Sequence, residues 1–215
     1  MAMSLIDETL NKLIIEGLNP KLEQLGFRRY SKKTFQKKAQ ECKLVLNVQL
    51  RKIPGQDAGY VSVYPGIVYD ELESIASELE GVEPRKGWPI AAANVGNLKP
   101  EEEFIEWPLT TTTDILALSE VINCSIDDYA VPFWEQFSTV AGLIEGYEKN
   151  DPRLAISGNY NWRMAAVYCL TGRHEDAIDL LKKWERYKAL KPCQDVLEQA
   201  LLIIAKMKNE KGDIK

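Results

Sequence analysis

The run from Cys42 to Ile53 constrains this chain most. Leu44, Leu46, Val48 and Leu50 fall on one face of an extended chain, and Asn47, Gln49 and Arg51 fall on the other with Val45. A period of two cannot give a helix one dry side, because helical apolar positions recur every 3.6 residues. The run therefore predicts a sheet with one covered and one wet face, which is the habit of antiparallel sheets. Residues 54–59 carry turn chemistry in Pro54, Gly55, Asp57 and Gly59. Tyr60 to Tyr69 reads as the next strand, with Tyr60, Ser62 and Tyr64 opposite Val61 and Val63. Pro65-Gly66 is expected to bend or bulge it. Upstream, Tyr30 to Lys38 alternates weakly, giving a meander of two or three strands.

Helical patterns flank this sheet. Ser4-Leu5-Ile6-Asp7 fits a capping box, and Ile6, Leu10, Leu13, Ile14 and Leu18 follow as one apolar stripe. Asn19-Pro20 interrupts, a short helix carries Leu22 and Leu25, and Gly26 stops it. Leu72, Ile75 and Leu79 suggest another short helix in an acidic stretch. Residues 88–93 and 103–109 read as two further strands joined through 94–100. A helix follows Thr110–Thr113. Asp127-Asp128 starts the next, with Pro132 in its first turn and Phe133, Phe137, Val140, Leu143, Ile144 and Tyr147 along it. From Asp151 onward, three helices are predicted over 159–171, 175–190 and 194–209. The fold class is α+β: an antiparallel sheet of about four or five strands with helices on one face, then an all-helical C-terminal region. The domains are read as 1–148 and 151–210.

The net charge of −5 is unevenly spread. Residues 1–60 carry 11 Lys/Arg and 6 Asp/Glu; 61–150 carry 4 and 17; 151–215 carry 12 and 9. The acidic middle reads as a solvated face or as a surface for a basic partner. Within it, Glu101, Glu102, Glu103 and Glu106 are the densest group. They lack the loop spacing of a calcium site. A basic cluster of Arg28, Arg29, Lys32, Lys33, Lys37 and Lys38 is interleaved with Tyr30 and Phe35, a pattern that can meet nucleic acid. The chain's pI of about 5.2 argues against that use, and lysines on an edge strand also prevent edge-to-edge pairing. Tyr60, Tyr64, Tyr69, Trp88 and Trp107 are read as converging on one side of the sheet, as core or as anchors of a protein interface.

Cys42, Cys124, Cys169 and Cys193 lie far apart, and His174 is the single histidine, so no zinc spacing exists. With no visible signal peptide, free thiols in a cytoplasmic setting are expected. No stretch approaches the roughly 18 apolar residues of a membrane span. No phosphate loop, nucleophile elbow or HExxH motif occurs. His174, beside Glu175 and Asp176 at a helix start, reads as a packing residue. No cofactor and no catalytic or metal-binding residue is expected.

Leu25-Gly26-Phe27-Arg28-Arg29, Thr34-Phe35, Asn47-Val48-Gln49, Ser62 to Ile67, Trp107-Pro108-Leu109 and Tyr129 to Phe133 follow one another in an order that resembles the bacterial family of domain of unknown function 4304, over about the first 148 residues. Ser62-Val63-Tyr64 and Pro65 depart from the Val-Asn-Leu expected before the glycine. The resemblance implies a fold and no reaction. Small α+β bacterial proteins of this kind are suspected of being immunity proteins, which implies a basic toxin domain as partner. Residues 161–184 resemble one tetratricopeptide-type helix pair: Trp162, Met164, Ala165 and Tyr168, a turn at Gly172, then His174, Ala177 and Leu181. Trp184 and the missing terminal proline depart from that pattern. The leading expectation is a non-catalytic protein-binding protein. The alternatives are a small-molecule binder or enzyme with a pocket between sheet and C-terminal helices, and an RNA-binding module using the basic strand.

Overall fold

The computed structural model describes residues 4–155, 160–185 and 191–212. The chain forms two compact units, one of Met1–Ile67 with Ala92–Ser138 and the other of Val68–Ala91 with Thr139–Lys215. They are not consecutive stretches divided near residue 150: residues 68–91 belong with the C-terminal helices.

In the first unit, α1 (Leu5–Lys12) runs through a π-helical segment (Leu13–Leu18) into α2 (Asn19–Gln24). Asn19-Pro20 does not break it, because Pro20 sits in the first turn of α2, where its missing N–H has no partner to lose. Ile6, Leu10, Leu13, Ile14 and Leu18 are all buried, and each such side chain contributes roughly 1.5–3 kcal/mol on leaving water. The expected capping box is not formed. Ser4 Oγ donates to Asp7 Oδ2 at 2.6 Å, and Lys52 Nζ reaches the same carboxylate at 2.6 Å. The lysine holds the acid, and the hydroxyl turns toward it. Gly26, at φ +84°, ends α2 in the left-handed region.

The antiparallel sheet orders β1 (Arg28–Arg29), β2 (Thr34–Lys38), β3 (Lys43–Lys52), β4 (Ala58–Val68) and β5 (Ala91–Ala92), with β6 (Trp107–Thr110) also paired to β4. Only Ala91–Ala92 of the expected 88–93 strand pairs, and Val95–Leu98 forms a 3₁₀ turn. Pro65-Gly66 leaves β4 unbroken. There the Pro65 carbonyl accepts from Ala93 N, and the Gly66 carbonyl accepts from Trp134 Nε1 at 3.1 Å.

α4 (Ile115–Ser125) is capped by Asp114, whose Oδ1 accepts from the N–H groups of Leu116 and Ala117. It packs on the first π segment. A second π segment (Ile126–Ala130) joins it to α5 (Val131–Phe137). Asp127-Asp128 therefore continues a helix instead of starting one. Trp134 of α5 lies 4.7 Å from the Phe27 ring, and both line a small cavity with Leu44. That places α5 on the Leu44 side of the sheet.

The second unit holds α3 (Asp70–Glu80), α6 (Val140–Glu148), α7 (Pro152–Ala155), α8 (Tyr160–Leu170), α9 (His174–Glu185) and α10 (Lys191–Gly212). The single helix expected from 127 to 147 is cut at Ser138-Thr139, where the Thr139 hydroxyl caps α6 by accepting from Gly142 N. α3 packs against α8 and α10, and α8 against α6 and α9. The α8–α9 turn passes through Gly172 at φ +77°, Ala165 and Ala177 are fully buried, and Trp162 meets Trp184 edge-on at 5.1 Å. Arg173 ties this turn to α6. Its guanidinium pairs with Glu148 at 2.7 Å and Asp176 at 2.6 Å, and lies 4.4 Å from the Tyr168 ring centroid. No helix among the described residues is long and apolar enough to cross a membrane.

Candidate functional site

The ladder register sorts the sheet's side chains. Thr34 faces Asn47, Gln36 faces Val45, and Lys38 faces Lys43. Phe35 faces Leu46 and Lys37 faces Leu44 on the other side. Between β4 and β6, Tyr60 faces Pro108 while Val61 faces Trp107. Residues opposite one another in a ladder share a face. Trp107 therefore lies with Val61 on the dry side, half-buried. It does not join Tyr60 and Tyr64, as the sequence reading expected.

Gln49, Leu50, Arg51, Ser62, Tyr64, Phe104 and Glu106 line a shallow groove of about 580 Å³ in the first unit. Its strand residues come from the polar side of β3 and the Tyr60 side of β4. Arg51 organises one end. Its guanidinium carbon stands 4.5 Å from the Tyr60 ring centroid, and Nε donates to Glu106 Oε2 at 3.2 Å while a terminal nitrogen donates to Oε1. The hydrogen bond to Glu106 holds the Arg51 proton more firmly than usual. Phe104 stands 56% exposed beside Tyr64, and Ser62 beneath is buried. An exposed phenylalanine next to half-buried tyrosines and an arginine has the composition of an interface anchor.

Asn94 positions the acidic loop. Its Oδ1 accepts from both Gly96 N and Ile105 N at 2.9 Å, and its Nδ2 donates to the Ile105 carbonyl at 2.8 Å. Gly96 is needed because a Cβ there would overlap the Glu103 carbonyl and Ile105. The intervening chain turns through Glu102 at φ +51°. Glu101, Glu102 and Glu103 are exposed, and none of the three forms an ion pair among the described residues. Glu106 differs, because Arg51 neutralises it.

The other aromatic candidates belong to the second unit. Tyr69, 3% exposed, is a core residue at the start of α3. Trp88 is 49% exposed in the loop between Gly81 and Gly87 and the short β5, with the Arg85 guanidinium 5.4 Å from its ring centroid.

The basic cluster separates into different tasks. Arg29 is structural: Nε donates to the Ser31 carbonyl at 3.1 Å, and a terminal nitrogen donates to the Lys32 carbonyl at 2.9 Å and to Asn11 Oδ1 at 3.2 Å. Lys37 is half-buried near Gly26 and lines the small cavity with Phe27 and Trp134. Lys38 pairs with Lys43 in the ladder, and Arg28 with Gln36 on the edge strand. Lys32 and Lys33 project from the β1–β2 turn, next to Tyr30. His174 is buried at the start of α9, Cys42 and Cys169 are buried and Cys124 is exposed. No group of three metal-ligating side chains occurs among the described residues.

Sequence reasoning missed Asn94, Phe104 and the Arg51–Glu106 pair. Asn94-Val95-Gly96 carried an Asx-turn signal. Phe104 and Glu106 were assigned to a strand, which hid their projection over the neighbouring one.

No curated protein and no solved structure matches this chain. One family model matches residues 18–136, more than half of the chain, from the first π segment into α5. The match ends just before the Ser138-Thr139 break and takes in the strands, Asn94, Arg51, Phe104 and Glu106. The chain belongs to this family, a domain of unknown function (DUF4304).

Proposed function

We propose that the groove on the first unit is a protein-binding surface, and that the protein works without catalysis by covering a basic region of its partner. The observation that carries this reading is Phe104, exposed beside Tyr64 and flanked by the unpaired carboxylates of Glu101, Glu102 and Glu103. The aromatic pair supplies apolar area at low entropic cost. The acidic loop supplies long-range attraction for a cationic surface. An immunity protein that occludes a basic toxin domain is the concrete form of this reading.

The test compares the wild-type chain, a Phe104→Ser/Tyr64→Ala variant, a Glu101→Lys/Glu102→Lys/Glu103→Lys variant and a distant control, Leu202→Ala, as baits in the same lysate. A partner held stoichiometrically by wild type and control should be lost from the aromatic variant. The charge variant should associate with it at least about tenfold more slowly at low salt. A partner retained equally by all four baits sinks the assignment of this surface.

A further inference from the structure

We propose that a second site, a cleft between α1 and the β1–β2 turn, binds a small amphipathic monoanion, namely a medium-chain carboxylate. The cleft holds about 230 Å³ and is lined by Asp7, Leu10, Asn11, Ile14, Lys32 and Lys33. Leu10 and Ile14 form an apolar floor. At about 30 Å³ per water-sized group, the space suits a chain of roughly six to eight carbons.

The polar groups are arranged around the mouth. Neither Lys32 nor Lys33 has an ion-pair partner among the described residues. Asp7 is already engaged by Lys52 and Ser4, so it does not consume the turn lysines. Asn11 accepts from Arg29 through Oδ1, which leaves its Nδ2 to donate. The remaining donors are two ammonium groups and one amide, and they match a single carboxylate. The Asp7 carboxylate on the wall repels a dianion, which disfavours a phosphate monoester.

The mouth is fixed before any ligand arrives. Arg29 bonds the Ser31 and Lys32 carbonyls on one wall and Asn11 on the other. Lys33 N donates to Ser31 Oγ, and Val48 N donates to the Lys33 carbonyl. A rim held this way loses little freedom on binding.

Octanoate is the probe, titrated into the full chain with methyl NMR of Leu10 and Ile14 and with thermal unfolding. Acetate and octanol are the controls. Saturable shifts at both methyls with octanoate, accompanied by a rise in Tm and absent with either control, support the site. Lys32→Gln/Lys33→Gln changes two exposed side chains and leaves the fold intact. It should weaken octanoate binding about tenfold, the loss of one charge-assisted contact. Acetate acting as strongly as octanoate, methyls that do not move, a flat or falling Tm, or equal affinity in the double variant each overturns the proposal.

Discussion

Asn94 grips Ile105 through both ends of its amide, donating to the carbonyl at 2.8 Å and accepting from the N–H at 2.9 Å. A side chain thereby completes a two-bond ladder rung where no second strand exists. Asn94→Ala leaves the Ile105 groups and Gly96 N without these partners. The expected cost is about 2–4 kcal/mol in urea unfolding, with faster hydrogen exchange at Gly96 and Ile105. Asn94→Asp keeps the acceptor and loses the donor, so it should cost less.

Gly17 and Ser119 mark where α4 crosses the first π segment. A Cβ at Gly17 would collide with Ser119 Cβ and Oγ. Gly17→Ala should destabilise by about 1–3 kcal/mol through overpacking, even though alanine is the better helix former by about 1 kcal/mol. Adding Ser119→Gly removes the collision. A double-mutant cycle by chemical denaturation should then show favourable coupling, and strict additivity would contradict the contact.

Arg163 is a buried cation in the second unit. It donates to the Ile90 carbonyl at 2.8 Å and to the Pro89 carbonyl at 3.4 Å. Burial lowers its affinity for its proton, yet an arginine stays charged across the accessible range. Arg163→Ala should cost about 3 kcal/mol and loosen residues 86–91, read by hydrogen exchange. Lysine cannot span both carbonyls with a planar fork, so Arg163→Lys should rescue only part of the loss.

Asp151 gives a pH dependence. Burial pushes its carboxyl up, but the Arg153 backbone N–H at 3.0 Å and guanidinium at 2.6 Å outweigh burial, and the net shift is downward. The folded carboxyl therefore holds its proton less tightly than the unfolded one. Its stabilisation is complete above the ordinary aspartate value of about 3.9 and is lost as pH falls through the lower folded value. Wild type should exceed Asp151→Asn in urea midpoint at pH 6, and the gap should close as the pH approaches 2. A gap independent of pH would count against the assignment.

Local periodicity made the individual elements legible, and it failed where a face or a boundary depended on a partner. The stripe from Ile6 to Leu18 and the alternation from Leu44 to Val48 are buried as the pattern demanded. Trp107 was misplaced because its face depends on its pairing with Val61, which no local pattern contains. Pro65 looked like a break because its missing N–H was noticed and its carbonyl was not. The Thr139 cap was present in the sequence, but the apolar spacing from Phe133 to Tyr147 ran across it. Of the candidate site, Tyr60, Tyr64 and the glutamates were legible as residue types. Phe104 and Asn94 were not, because their roles come from a loop folded back on itself.

The interleaving of the two units also sets an order in time. Synthesis runs from the N-terminus, and α3 leaves the ribosome with Leu72, Ala76 and Leu79 on its apolar side. The helices that bury that side, α8 and α10, begin only at Tyr160 and Lys191. The first unit can close once Ser138 has emerged, whereas α3 waits with its greasy side uncovered until most of the chain is made. Slowed translation after residue 138 therefore extends a period in which chaperones and proteases can recognise α3.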